Sequence, residues 1–432
     1  MSEVAIVGAG LAGCEAAYQL AERGVKVILY EMKPNDRQPA HKSDGFAELV
    51  CSNSLRSDRL TNAVGLLKEE LRRLGSLVMR AADATRVPAG GALAVDRAAF
   101  SQYITDTILT HPSIAVVTET VTEIPDTPCI IASGPLTDGA LLRSIESKLG
   151  ACLHFHDAAA PIVTHESLDM NVIFEASRYD RGSDYLNCPM TRDEYFAFVE
   201  AIVSAETVKP HDFESPKVFE GCMPIEVMAK RGSMTLAYGP LKPVGLDDPR
   251  RSEAPFAVVQ LRRENAEGTL YNLVGFQTNL KFSEQRRVFG MIPGLSAAEY
   301  MRYGVMHRNS FISSPGKLNS SYECVDIPML FFAGQITGVE GYVESASSGF
   351  VAALAAHRRL SGAPEIDFGQ RTAIGALAHY ISGYAGRDFQ PMNINYGIMT
   401  PPDIRIRNKQ ARYSAIAERA LKTIDDIVAN GL

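Results

Sequence analysis

The 432-residue chain has no tryptophan, no Cys-x-x-Cys pair, no His-x-x-x-His or His-Glu-x-x-His pattern, and no apolar run that could span a membrane. Seven cysteines, at 14, 51, 129, 152, 188, 222 and 324, are odd in number and scattered. They suggest neither a disulfide framework nor a zinc ribbon, so reduced thiols are the expectation. The missing histidine patterns make a resident metal unexpected. The N-terminus MSEVAIVGAG lacks a basic stretch and a cleavage signature, which points to a cytoplasmic protein. Basic charge is not in excess: 43 Lys and Arg face 50 Asp and Glu, for a net charge of −7. A uniformly basic coat for nucleic acid is thereby excluded, and any such site must be a local patch. Hydrophobic residues at 46% exclude disorder, and the length implies two or three domains.

What is present begins at once. Residues 3 to 7 are β-prone and run into Gly8, Gly10 and Gly13, with a helix over 15–22 and a second strand over 25–30 that ends at Glu31. This is a βαβ dinucleotide fingerprint: Gly8 for the tight turn, Gly10 for close approach to a pyrophosphate, Gly13 for helix–sheet packing, and Glu31 for a ribose hydroxyl. Ala9, Leu11 and Ala12 complete the loop. A second apolar strand at 329–333 ends in Gly334, with Gln335 where many flavoproteins carry Asp, then Gly338, Gly341 and a helix from about residue 344. With an intermediate strand at 129–133 before Gly134, this late segment favours FAD over a simple NAD site, the helix turning its positive end to the ligand.

The region 151–325 mixes strands at 256–261 and 270–276 with a helix at 192–205 and several prolines. It is expected to be an inserted α+β domain. The fold class is therefore α/β, with a Rossmann-type FAD-binding domain over 1–150 and 326–432, the insertion over 151–325, and a helical C-terminal segment with helices near 372–381 and 411–429.

Two cysteines have settings suited to chemistry. Cys51 opens the polar run Cys51-Ser52-Asn53-Ser54, whose hydroxyl and amide groups suit a ligand pocket, and Cys222 precedes Pro224 and a short helix at 225–230, where a helix N-terminus lowers a thiol pKa. Cys14 and Cys129 are expected to be structural. His41 and His307 lie beside polar or basic residues and are candidates for ligand contact. Three stretches are locally basic: 56–80, 281–308 with Tyr300, Tyr303 and Phe311 interleaved or adjacent, and 403–422. Basic clusters suit phosphates, and exposed rings suit unpaired bases.

The motifs GAGLAGCEAA (8–17), YEMKP (30–34), FAELVCSNSLRS (46–57), VPAGGALAVDR (87–97), YLNCPM (185–190), VGFQTNLK (274–281), RYGVMHRN (302–309) and GVEGYVESASSGF (338–350) run through nearly the whole chain. It resembles the folate- and FAD-dependent tRNA uracil-5-methyltransferases, relatives of the FAD-dependent wobble-uridine modification proteins. The resemblance implies 5-methyluridine formation in the tRNA T-loop, with 5,10-methylenetetrahydrofolate as carbon donor, reduced FAD as reductant and NAD(P)H to reduce the flavin. It implies Cys51 and Cys222 as the functional thiols. Glu340, Tyr342 and His307 are candidate folate contacts, and Arg405, Arg407, Lys409 and Arg412 candidate RNA contacts. The same chemistry on ribosomal RNA, a non-catalytic flavin-bound RNA-binding protein, and a generic FAD oxidoreductase remain the alternatives.

Overall fold

Val4-Ala5-Ile6-Val7, Cys129-Ile130-Ile131 and Leu330-Phe331-Phe332 are uninterrupted apolar runs, the pattern of strands covered on both faces. In the computed structural model they lie side by side in one parallel sheet. The structure describes residues 3–38, 40–126, 128–158, 160–179, 182–208, 223–248, 250, 253–386 and 389–432, with the backbone alone at 155–158 and 306–308. The sheet runs in the order Leu330–Phe332, Cys129–Ile131, Glu3–Val7, Lys26–Glu31, Ile114–Thr118. The strands expected over 129–133 and 329–333 are shorter than foreseen because their last residues already turn into the glycine loops.

Helix Leu11–Glu22 follows the first strand, and helix Tyr342–Ser361 lies against it. A Cβ at Gly349 would come within 2.2 Å of the Ala12 carbonyl oxygen, so glycine lets the two backbones meet. The late helix starts at Tyr342, two residues earlier than expected, because Gly341, at φ +117°, turns the chain into it. Helices Ala63–Arg73, Leu77–Ala84, Arg97–Thr110, Ala373–Gly383 and Lys409–Ala429 complete this part around one core. Two buried carboxylates cap helices from a distance. Glu15 accepts from the N–H groups of Leu77 and Val78, and Glu70 from those of Ala373 and Ile374 at 2.7 and 2.8 Å.

The middle of the chain builds a second sheet, wholly antiparallel: Phe174–Glu175, Tyr185–Met190, Ala257–Arg263, Leu270–Leu273, Ile162–Thr164 and, at the edge, Tyr300–Arg302. Helices Arg192–Ser204, Ile225–Lys230, Thr235–Tyr238 and Phe282–Phe289 share a separate apolar core with it. Leu153–Ala158 pairs with Met306–Phe311 in a separate two-stranded ribbon, tied to the parallel-sheet part by Ser310 N–H on the Pro135 carbonyl. A small three-stranded antiparallel sheet joins Ser54–Ser57, Ala92–Val95 and Arg86–Val87. Among the described residues no helix is long and apolar enough to cross a membrane.

Burial corrects two surface expectations. Phe311 is a core residue at 2% exposure and offers no ring to a ligand. The basic stretch 56–80 is largely consumed internally. Lys68 is fully buried, with Nζ donating to the Leu55 and Ser57 carbonyls at 2.6 and 2.7 Å, and burial lowers its pKa to about 7. Arg56 pairs with Glu344, Arg72 with Asp58 and Asp83, Arg73 with Glu69 and Asp425, and Arg80 lies over the Tyr18 ring. Counting charges along the sequence cannot separate such pairs from a free patch.

Candidate functional site

The glycine loops all leave the C-terminal ends of the parallel strands, where open α/β sheets take ligands. Gly8 has φ +100°, and a Cβ there would lie 2.6 Å from the Ala132 oxygen; one at Gly13 would lie 1.8 Å from the Gly8 oxygen. The protein's own backbone requires both. Gly10 differs: its φ is −75°, and a Cβ would meet nothing within 4 Å. It faces a cleft lined by Gly8 to Ala12, Glu31, Ser133, Gly134, Gly334, Gln335, Tyr342 and Ser345. Gly10 caps helix Leu11–Glu22 without a side chain, and the first turn holds no acidic residue, so its N–H groups face the cleft uncovered by protein carboxylates. Such a cradle fits a dinucleotide pyrophosphate.

Glu31, 7% exposed, accepts from Ala9 N at 2.8 Å and Lys33 N at 3.1 Å. One N–H on each oxygen leaves acceptor capacity for a ribose hydroxyl. Gln335 spends its amide on Glu340, with Nε2 at 3.0 and 2.9 Å from the two carboxylate oxygens. Gly338 does not line the cleft: its φ is +91°, and a Cβ there would lie 2.6 Å from the Phe389 ring, which together account for the glycine. His41 and Glu48, paired at 2.9 Å, form part of the wall.

Cys51 follows directly on Val50, another wall residue. The Tyr342 hydroxyl accepts from Cys51 N at 2.7 Å and Ser52 N at 3.2 Å, so one residue of the cleft wall also holds the thiol's loop. Burial, then the nearby Cys51, push the Tyr342 phenol pKa up, which keeps its proton in place. Arg97 donates to the Leu49 carbonyl and pairs with Glu264 at 3.0 Å. Arg262 donates to Asn53 Oδ1 at 3.1 Å and Ser52 Oγ at 2.6 Å. Arg97 and Arg262 thus hold the residues on either side of Cys51, and they and Arg302 interact electrostatically with it. Asn53, expected to face a ligand, is instead fully buried and donates to the Val95 and Arg263 carbonyls. Reading the sequence for chemistry missed the arginines, although the quoted motif VPAGGALAVDR ends on Arg97.

The other described cysteines are buried. Burial pushes the Cys129 thiol to about 12 and Cys152 to about 11, and raises Cys14 and Cys188 further, so none of these supplies thiolate near neutral pH. Cys222 lies outside the described residues. Ile225, which begins the helix after it, donates its N–H to the Gln277 carbonyl at 2.8 Å. His307 is described by its backbone alone, in the strand Met306–Phe311. Glu340 is 5% exposed and does not cap helix Tyr342–Ser361, whose N-cap is Gly341. Arg405, Arg407 and Lys409 are exposed and Arg412 is half-buried. Lys409 and Arg412 lie over the Tyr413 ring, which stacks on Tyr396 at 4.3 Å.

Fold and cleft define a class: an α/β protein built on a Rossmann-type sheet with an antiparallel second sheet. The architecture is similar to that of Aquifex aeolicus GidA, with a TM-score of 0.69 at 15% identity over 98% of this chain and 73% of that one. The family model described as glucose inhibited division protein A matches residues 3–364. Proteins named methylenetetrahydrofolate–tRNA-(uracil-5-)-methyltransferase TrmFO are 58% identical in Heliobacterium modesticaldum (99% of this chain, 98% of that one) and 55% in Lactobacillus gasseri (98% of each). The chain belongs to this family, the methyltransferase branch of the glucose inhibited division protein A proteins.

Proposed function

We propose that this protein converts a T-loop uridine of tRNA to 5-methyluridine in the cytoplasm, taking the carbon from 5,10-methylenetetrahydrofolate and the electrons from FAD that NAD(P)H has reduced. The observation that carries this reading is the Tyr342 hydroxyl, which ties the wall of a dinucleotide cleft to the loop of Cys51. FAD would be held by Gly8, Ala9, Gly10, Leu11, Ala12, Gly13, Glu31, Gly334 and Gln335, with Gly338 shaping the turn behind them. When bound and reduced, it supplies the hydride that turns a methylene into a methyl group.

The thiols answer a need of the substrate. Uracil C5 is a poor nucleophile until a thiolate adds to C6: the S–C6 bond forms, the C5–C6 π pair moves into an enolate on O4, and C5 gains nucleophilic character. We assign that addition to Cys222. The enolate carbon C5 then bonds to the methylene carbon of the folate; Cys51 removes the C5 proton as the tetrahydrofolate nitrogen departs, leaving an exocyclic methylene; and hydride addition there gives the methyl group and returns the enolate, which expels the Cys222 thiolate and restores the C5–C6 double bond. Arg97 and Arg262, bonded to Leu49 and Ser52 on either side of Cys51, and Arg302 bring positive charge to this loop. Glu340, the Tyr342 ring and His307 are proposed for the folate, and Arg405, Arg407, Lys409 and Arg412 for tRNA phosphates.

The test uses tRNA carrying 5-fluorouridine, whose fluorine cannot leave as a proton does. A denaturation-resistant protein–RNA adduct is expected, with the crosslinked peptide containing Cys222. An adduct at Cys51 would exchange the two roles, and no adduct at either cysteine would refute the thiol chemistry.

A further inference from the structure

On the surface of the second sheet three rings are stacked nearly parallel. Phe282 and Tyr303 have centroids 4.7 Å apart at 17°, and Tyr303 and Tyr300 5.0 Å apart at 12°. Rings inside the adjacent core meet differently: Phe276 and Phe289 cross at 82° and Phe198 and Phe276 at 42°, as packing in an apolar interior favours. A parallel stack leaves a flat outer face, and that face belongs to Phe282, which is 54% exposed. Phe282 is the first residue of helix Phe282–Phe289, where a polar side chain would serve the helix equally well.

A cation adjoins the stack. Arg286 donates to the Tyr303 hydroxyl at 2.7 Å, which sets the middle ring, and among the described residues it forms no ion pair. Lys281 and Arg287 stand beside it, paired with Glu206 and Glu284. Tyr300 and Tyr303 flank Arg302 in the chain, Tyr300 on the edge strand Tyr300–Arg302 and Tyr303 directly after it, with a β-bulge between Tyr300 and Arg302. Arg302 interacts electrostatically with Cys51 and Tyr342. The chain that carries the stack thus also carries a guanidinium that acts on the Cys51 site.

We propose that the exposed face of Phe282 receives an unpaired base of the RNA substrate, a neighbour of the uridine presented to Cys51, with Arg286 meeting the adjoining phosphate. This rests on the reading of the protein as an RNA-modifying enzyme. It deepens that reading by giving the RNA a path across the second sheet, in addition to the basic patch near residue 409. Proteins that hold single-stranded nucleic acid combine such ring faces with cationic grooves, and every base offers a π-face to stack.

The missing tryptophan supplies the experiment. F282W introduces a single indole on the proposed platform. Titration of the FAD-loaded variant with unmethylated tRNA should quench its fluorescence. F282L removes the π-face but keeps apolar volume, and should weaken RNA binding on the order of 10- to 100-fold while leaving the flavin spectrum and Tm unchanged. F282Y should restore binding. If tRNA saturates and is methylated by F282W without quenching, or F282L binds RNA as tightly as the parent, the platform is refuted and the methyltransferase reading stands. If the parent protein binds no RNA at all, both fall.

Discussion

Gly10 and Gly13 stand three positions apart and are glycine for opposite reasons. Gly13 has no room because the Gly8 carbonyl fills it, whereas the space before Gly10 is open until a ligand arrives. Gly10→Val should therefore fold normally and purify without flavin, which absorbance of the purified protein and a melting curve check together. Tyr342 works differently, through its hydroxyl. Tyr342→Phe deprives the Cys51 and Ser52 N–H groups of their acceptor, at a cost of about 1–3 kcal/mol. We expect retained FAD, a lower Tm and a fall in kcat larger than any change in KM, measured by steady-state kinetics. The glycines were legible in the sequence because their reasons are local. The Tyr342 contact joins positions 291 apart, beyond the reach of any spacing rule.

Helices show the same division between what is local and what is not. The expected helices near 372–381 and 411–429 are found at Ala373–Gly383 and Lys409–Ala429 because apolar periodicity marks them. Their caps are only partly legible. Thr372 accepts from Gly375 N within its own helix, but the N–H groups of Ala373 and Ile374 are taken by Glu70, from helix Ala63–Arg73. Burial raises the Glu70 pKa from 4.5 to about 7 and outweighs these two donors. Between those values the native state holds more protons than the unfolded chain, so stability falls as pH rises, by about 3 kcal/mol across the window. Glu70→Gln keeps an acceptor but does not titrate. Urea denaturation of the variant from pH 4.5 to 7.5 should show this slope removed relative to the parent; an identical slope in both proteins would exclude Glu70 as its source.

At the scale of the molecule, the parallel sheet forms the cleft and the antiparallel sheet backs the thiol. Arg262 comes from the strand Ala257–Arg263, Arg97 from the helix beginning at that residue, and Tyr342 from the late helix, and all three converge on residues 49–53. The strand–glycine–helix order made the first sheet readable, since each element announces itself within a few residues. The convergence on Cys51 was not readable, because it is made by elements separated by hundreds of residues, and because a charged residue reads alike whether it is buried in a clamp or free on the surface. The central claim is that this convergence is a site for methylating RNA. Its most direct test incubates unmethylated tRNA with the protein, NAD(P)H and methylenetetrahydrofolate labelled in the methylene group, followed by nucleoside analysis. We expect label in 5-methyluridine with the parent protein and none with Cys51→Ala or Cys222→Ala, both of which retain FAD. Unlabelled uridine with the flavin-loaded parent, or undiminished methylation by both alanine variants, would contradict it.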